Sequence, residues 1–240
     1  MPRSALNWML GNVAALGKHG RRPIRPIYQT GDAETGGSND LLDTLIEVLS
    51  SGGLALLPAE GLYGLHVCHK PASDMPGAGR PVSSPLIKLR GVKGDSPGRP
   101  YIVLVGSRTE AAALTAEWPP TVTKLVSDAW PGPLTLVLPA AGDVAPELTR
   151  HGSIAIRCPG SLLLRTLADR LGGQLLSTSA NRAGQPPPAK IQDVTLEIQE
   201  ACDIIVDGGE LPGTGSTLAR VETDGALTIL RPGLWKPSHR

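Results

Sequence analysis

The chain contains no phenylalanine, and tyrosine and tryptophan bring its aromatic content to only 3%. Its core must therefore be built from Leu, Val, Ile and Ala, and the stacking platforms that hold single-stranded nucleic acids have few side chains to come from. Cysteine is also scarce. Cys68, Cys158 and Cys202 are odd in number and far apart, which suits neither a disulfide framework nor a CxxC metal clip and places the chain in a reducing cytoplasm. No apolar run approaches the roughly 18 residues of a membrane span, and the N-terminus has no apolar signal-peptide core. Charge of one sign is missing too: the 19% of charged residues sum to a net +1, so nothing global demands a nucleic acid or a membrane as partner.

What is present is enough for one domain with a full core, in 240 residues. Residues 1–37 read as a basic, flexible extension and 38–240 as the domain. The first 31 residues carry Arg3, Lys18, Arg21, Arg22 and Arg25 without one acid, a pattern shared by transit peptides, RNA-contacting arms and soluble tails.

Leu41, Leu42, Leu45, Ile46 and Leu49 recur at helical spacing, with Asn39 or Asp40 placed to cap the start and Gly52 to end it. A buried strand follows from Leu54 and breaks at Pro58. Residues 70–85, rich in Pro, Gly and Ser, predict a mobile surface loop. A short helix over "PLIKLRGVKG" and a strand over "PYIVLVGS" come next, then helices over "RTEAAALTAEW" and "PTVTKLVSDAW", each closed near a Trp-Pro step. Strands are predicted over "PLTLVLPA", "SIAIRCP", "QLLSTSAN" and "DIIVDGG", helices over "SLLLRTLADRLGG" and "IQDVTLEIQEAC", and a hairpin over "STLARVE" and "ALTILRP" turning at Thr223 to Gly225. The mixture predicts an α/β (α+β) domain with a mixed sheet.

No nucleophile elbow, Walker motif, HExxH or dinucleotide glycine fingerprint occurs. His66 and His69 form one close pair without Cys or clustered carboxylates nearby, weak grounds for a metal, and no protein-held metal is expected. Turns at strand ends are better candidates, because α/β sheets place ligands there. Ser177, Thr178, Ser179 and Asn181 crowd short donors and acceptors behind one strand. Lys93, Arg99, Arg157 and Arg231 together have the charge to neutralise a polyphosphate.

In order, "LLPAEGLYGL", "KGDSPGRPYIVLV", "WPGPLTLVLP", "SIAIRCPG", "STSANRAGQPPP", "VDGGELPGTGSTLA" and "TILRPG" resemble the threonylcarbamoyl-adenylate synthase family, the YrdC/Sua5 type, over residues 38–235. The resemblance implies a twisted mixed sheet around a large, positively lined cavity. It implies condensation of L-threonine, bicarbonate and ATP, with Mg²⁺, into threonylcarbamoyl-adenylate and pyrophosphate for the t6A modification of tRNA, with tRNA or a transferase complex as partner. Carried over by motif, Lys93, Arg99, Ser153, Asn181 and Arg231 meet ATP. Arg157, Ser179 and Ser216 meet threonine, Lys93 and Arg157 are the catalytic pair, and Glu60, Tyr63 and Thr217 shape the cavity wall.

The family's P-T-D/E-T-V-Y-G-L is here Pro58-Ala59-Glu60-Gly61-Leu62-Tyr63-Gly64-Leu65, without either threonine, and the Arg of its K-G-R is Asp95. Arg90 or Arg99 is placed to compensate. Two readings remain: an active synthase of the short, single-domain branch, or a paralogue that keeps the cavity and binds nucleotide or RNA without this activity.

Overall fold

The computed structural model describes residues 27–29, 38–69, 84–95, 101–172, 175–222 and 224–237. Most of the predicted N-terminal extension and of the loop at 70–85, together with Arg99, lies outside these residues.

Helix α1 (Ser38–Ser50) starts earlier than expected, so Asn39 and Asp40 lie within its first turn rather than capping it. There the Asp40 charge complements the positive end of the helix dipole. Leu41, Leu45 and Leu49 form its buried stripe. At its end Gly52 takes φ +84, a left-handed position that glycine adopts without a Cβ penalty.

Strand β2 (Ala55–Pro58) then pairs antiparallel with β3 (Tyr63–Cys68). The sequence reading left β3 out: its Gly64 and His66 interrupt the apolar pattern, yet all six of its residues are buried. A further strand, β1 (Ile27–Gln29), pairs in parallel with β9 (Ile204–Asp207), so the sheet reaches upstream of residue 38.

Helix α2 (Pro85–Lys93) leads to β4 (Ile102–Leu104), α3 (Arg108–Ala113) and α4 (Pro120–Ala129). Ser107 caps α3 by accepting from the Glu110 N–H. The helix nevertheless stops at Ala113, short of the Trp118-Pro119 step expected to close it, because Thr115 leaves it to bridge Ala140. Strands β5 (Leu134–Pro139), β6 (Thr149–Arg150) and β7 (Ser153–Arg157) precede α5 (Leu162–Arg170) and β8 (Leu175–Ser179).

The helix expected over "IQDVTLEIQEAC" is split into a 3-10 turn, Ile191–Asp193, and α6 (Leu196–Ala201). Gln199 Nε2 donates to the carbonyls of Val194, at 2.7 Å, and Ile191, at 3.3 Å. Acceptors exposed by the break are thereby satisfied. Strands β10 (Thr217–Val221) and β11 (Leu227–Arg231) make the predicted hairpin, with Gly225 at φ +84 in its turn.

The eleven strands of the described residues join one mixed sheet in the order β1-β9-β2-β3-β8-β4-β7-β5-β10-β11, with β6 alongside β7. Strand alternation divides its residues between two faces. Leu56, Leu65, Leu176, Val103, Ile156 and Leu136 belong to the larger core cluster on one face. On the other, Ala55, Leu57, Cys68, Leu175 and Leu104 pack under α1 and α5. Those helices cover only one end of that face; beyond it the register continues through His66, Ser177, Ile102, Ala155, Val137 and Arg220, paired strand to strand.

Candidate functional site

The uncovered end of this face opens into a cavity of about 710 Å³, within the size range of small-molecule sites. Its floor is made of small side chains, Gly64, Ala155, Ser153, Ser177 and Ser179, so the sheet leaves room for a ligand. Among the described residues four arginines line it, Arg150, Arg157, Arg220 and Arg231, against one acid, Glu60. Such a field favours an anionic ligand.

Arg157 is 4% exposed, and its Nη1 lies 3.0 Å from Glu60 Oε2. The contact falls outside hydrogen-bond geometry, and Arg157 Nε has no hydrogen-bond partner among the described residues. A buried guanidinium with donor capacity left is a receptor for a ligand carboxylate or phosphate. Burial lowers its hold on the proton, Glu60 opposes that effect, and Arg231 reinforces it. Glu60 is fixed from its other side, accepting from the Gly160 N–H.

Ser153 and Ser179 also line the cavity. Ser216 also lines it, sharing a hydrogen bond of 2.8 Å with Thr135. Arg231 Nη2 donates to the Ser216 carbonyl at 3.1 Å, which holds the guanidinium against the β10 end of the site. Arg150, the last residue of β6, and His151, in the turn that follows with φ +49, reach the cavity. Arg220 follows by alternation, two and four residues beyond Leu218 and Ser216.

Two residues assigned to the wall belong mainly to the opposite face. Tyr63 runs along the cavity with its backbone, but its ring joins Leu65 and Val67 in the larger core. Its hydroxyl lies 2.8 Å from Asp207 Oδ1 and accepts from the Gly208 N–H; burial and the Asp207 bond push the phenol up to about 12. Thr217 follows Ser216, so strand alternation turns it away. It is 1% exposed, lines no part of the cavity and donates to the Trp235 carbonyl.

Lys93 and Asn181 stand behind the cavity rather than in its lining. Lys93 is fully buried, and its ammonium donates to the carbonyls of Ser179, at 2.8 Å, and Asn181, and to Asn181 Oδ1 at 3.2 Å. Asn181 Nδ2 donates to the carbonyls of Arg182 and Gln185. The S-A-N turn is thus tied to the last residue of α2, and Lys93 braces the turn that carries Ser179. Arg99 falls outside the described residues.

Gly61 and Asp95, two of the departures from the family pattern, have structural counterparts. A Cβ at Gly61 would lie 1.9 Å from the Thr214 carbonyl oxygen, so the 213–215 loop closes over a position that no other residue fits. Asp95 Oδ2 accepts from the Tyr101 hydroxyl at 3.1 Å, and burial with this acid raises the phenol above its usual range while Arg90 opposes the rise. Tyr101 lines the cavity, so Asp95 and Arg90 act on the site through it.

His66 and His69 engage separate partners. His66 is fully buried with both ring nitrogens in hydrogen bonds, His69 faces Glu147 at 3.5 Å, and no group of three metal-ligating side chains occurs among the described residues. The sequence reading missed Arg150, His151 and Arg220 as cavity residues. For Arg220 the signal was available in the period-two spacing from Ser216; for Arg150 and His151 it was not, since the end of β6 and the turn that follows read as ordinary surface. Among the described residues no helix is long and apolar enough to cross a membrane.

Comparison with known proteins agrees with this architecture. A threonylcarbamoyl-AMP synthase of Nitrosococcus oceani is 29% identical over 162 residues, covering 67% of this chain and 82% of the relative. One from Bos taurus is 27% identical over 221 residues, covering 89% and 75%. Among solved structures, P. abyssi Sua5 complexed with L-threonine matches with a TM-score of 0.69 and 28% identity over 80% of this chain. A double-alanine variant of the same Sua5 reaches 0.74 at 25% identity over 88%. The chain spans 54% and 60% of the length of those two Sua5 chains. The Sua5_yciO_yrdC family, described as "Telomere recombination", matches residues 47–233, and the chain belongs to that family.

Proposed function

We propose that the protein is a threonylcarbamoyl-AMP synthase, joining L-threonine, bicarbonate and ATP with release of pyrophosphate. The observation that carries the reading is the buried Arg157, whose Nε has no hydrogen-bond partner among the described residues, in a cavity also lined by Arg150, Arg220 and Arg231. One strongly held cation suits an amino-acid carboxylate, and a set of more exposed ones suits a polyphosphate. Relatives bearing this activity name, and a Sua5 structure holding L-threonine, support it.

In this reading the threonine carboxylate takes Arg157 from the side left open by Glu60, with Ser179 and Ser216 flanking it. Once the amine is carboxylated, the carbamate oxygen must attack the α-phosphate in line, and holding both ligands in one cavity supplies the alignment. Charge grows on the departing pyrophosphate; Arg231, held by the Ser216 carbonyl, is preorganised to meet it, and Arg150 and Arg220 add positive charge to the same cavity. Mg²⁺ bound with ATP would neutralise further charge; among the described residues the lining's carboxylate, Glu60, is engaged by Arg157 and Gly160. Ser153 and Arg99 complete the proposed nucleotide contacts, Asn181 and Lys93 act on the site through the turn they brace, and a cytoplasmic setting suits these substrates. The product is a reactive mixed anhydride and needs a transferase to consume it, here a t6A-forming complex acting on tRNA.

Purified protein with ATP, Mg²⁺ and bicarbonate should release pyrophosphate only when L-threonine is added. Folded protein that releases none, or releases it without regard to threonine, refutes the synthase reading and favours a nucleotide-binding paralogue.

A further inference from the structure

His66 and Ser177 face each other across the β3–β8 ladder. His66 is wholly buried; its Nδ1 lies 3.1 Å from the Gly64 carbonyl and its Nε2 3.2 Å from Ser177 Oγ. A carbonyl oxygen only accepts, so Nδ1 carries the imidazole proton and Nε2 is left as an acceptor. The Ser177 hydroxyl must then donate to Nε2. Its proton is directed into the sheet, and the lone pairs of its oxygen are what the hydroxyl has left to offer the cavity that Ser177 lines.

We propose that Ser177, oriented by His66, is a hydrogen-bond acceptor that selects the donor-bearing nitrogen of an amino-acid ligand whose carboxylate is held by Arg157. The inference rests on the synthase reading for the identity of that ligand. A serine free to rotate serves a donor or an acceptor alike; one whose proton is fixed by a neutral imidazole discriminates between them. Donation to Nε2 also polarises the oxygen and makes it a better acceptor. Burial and the positive charge of Arg157 keep the ring uncharged, so the arrangement holds across the neutral range. Gly64 is part of the same device: a Cβ there would lie 2.8 Å from His66 Cε1 and push the ring out of register with Ser177. His66 is a positioning residue, and Ser177 is the contact.

The test compares binding of L-threonine with that of 3-hydroxybutanoate, the same acid without the amine, by calorimetry. The wild-type protein should prefer threonine strongly. Ser177→Ala should reduce the preference by about tenfold or more, as expected for losing an acceptor to a charged donor. His66→Leu should reduce it by a smaller factor, since the hydroxyl is present but free to turn. His66→Gln, whose amide oxygen can replace Nε2 as acceptor, should restore it, a rescue that general loosening of the sheet would not produce. An undiminished preference in Ser177→Ala, whose small change leaves the fold in place, overturns this inference alone. Failure of the wild-type protein to bind threonine overturns the synthase reading, and the ligand assignment made here with it.

Discussion

Glu60 Oε2 lies 3.0 Å from Arg157 Nη1, with both side chains almost closed to solvent at 10% and 4% exposure. Each charge is tolerable there because the other is present. Removing one partner of a buried pair costs about 3–5 kcal/mol, chiefly from the charge left behind. Arg157→Ala should therefore lower stability by that order and abolish threonine-dependent turnover, whereas Arg157→Met with Glu60→Gln should recover most of the stability and none of the turnover. Urea denaturation of the single and double variants checks the first part and pyrophosphate release the second.

The buried Lys93 ammonium leads to a different expectation from a phosphate contact. It bonds the Ser179 and Asn181 carbonyls from behind the cavity. Lys93→Met would leave those acceptors without their charged donor, at a cost of about 1–3 kcal/mol. Amide exchange at Ala180 and Ala183, whose N–H groups bond Tyr63 and Lys93 carbonyls, should quicken with it. Unchanged stability and exchange with a sharp loss of ATP affinity would instead put Lys93 on the nucleotide.

At Gly61 the family pattern carries a threonine, and restoring it should not help. The Cβ would strike the Thr214 oxygen, and Gly213 N–H donates to the Gly61 carbonyl at 2.8 Å, so the loop cannot withdraw without losing a bond. Gly61→Thr should destabilise by about 1–3 kcal/mol or more through overpacking and should lower turnover. A variant with wild-type melting behaviour and higher turnover would show that the loop adapts.

His66 gives the fold a defined response to acid. Burial and Arg157 hold its imidazole down to about 3, against 6.5 for an ordinary one. Between those values the unfolded chain binds a proton that the folded protein refuses. Stability from this group is thus fully present at neutral pH and is lost as pH falls from about 6.5 toward about 3, at up to about 1.4 kcal/mol per pH unit. His69, also lowered by burial, acts in the same direction. Denaturant titrations at a series of pH values should show a shallower acid loss for His66→Gln than for the wild-type protein; parallel curves would mean that His66 is protonated without cost.

Much of the fold was legible because the elements obey local rules. The Leu41, Leu45 and Leu49 stripe and the alternating Ile154 and Ile156 carry their own periodicity, and the β10–β11 turn is marked by its glycine. Strand β3 was not legible. Glycine and histidine fill two of its positions, and only contacts with β2 and β8 make "YGLHVC" a buried strand. The helix split after Asp193 was equally hidden, since the break is satisfied by a side chain of the following helix, Gln199.

The sequence by itself determined that this chain forms a mixed α/β domain of Leu, Val, Ile and Ala, with Arg157 and the serines of the S-A-N segment as residues a polar ligand would need. Local propensity and motif order are properties of neighbouring residues, so they are written in the chain. Tertiary structure decided which face each side chain takes and what it meets there: Ser216 inward and Thr217 away, Lys93 behind the turn, Glu60 against Arg157, Ser177 against His66. Those outcomes depend on strand register, and register is set by pairing between segments far apart in the chain, as His66 and Ser177 are.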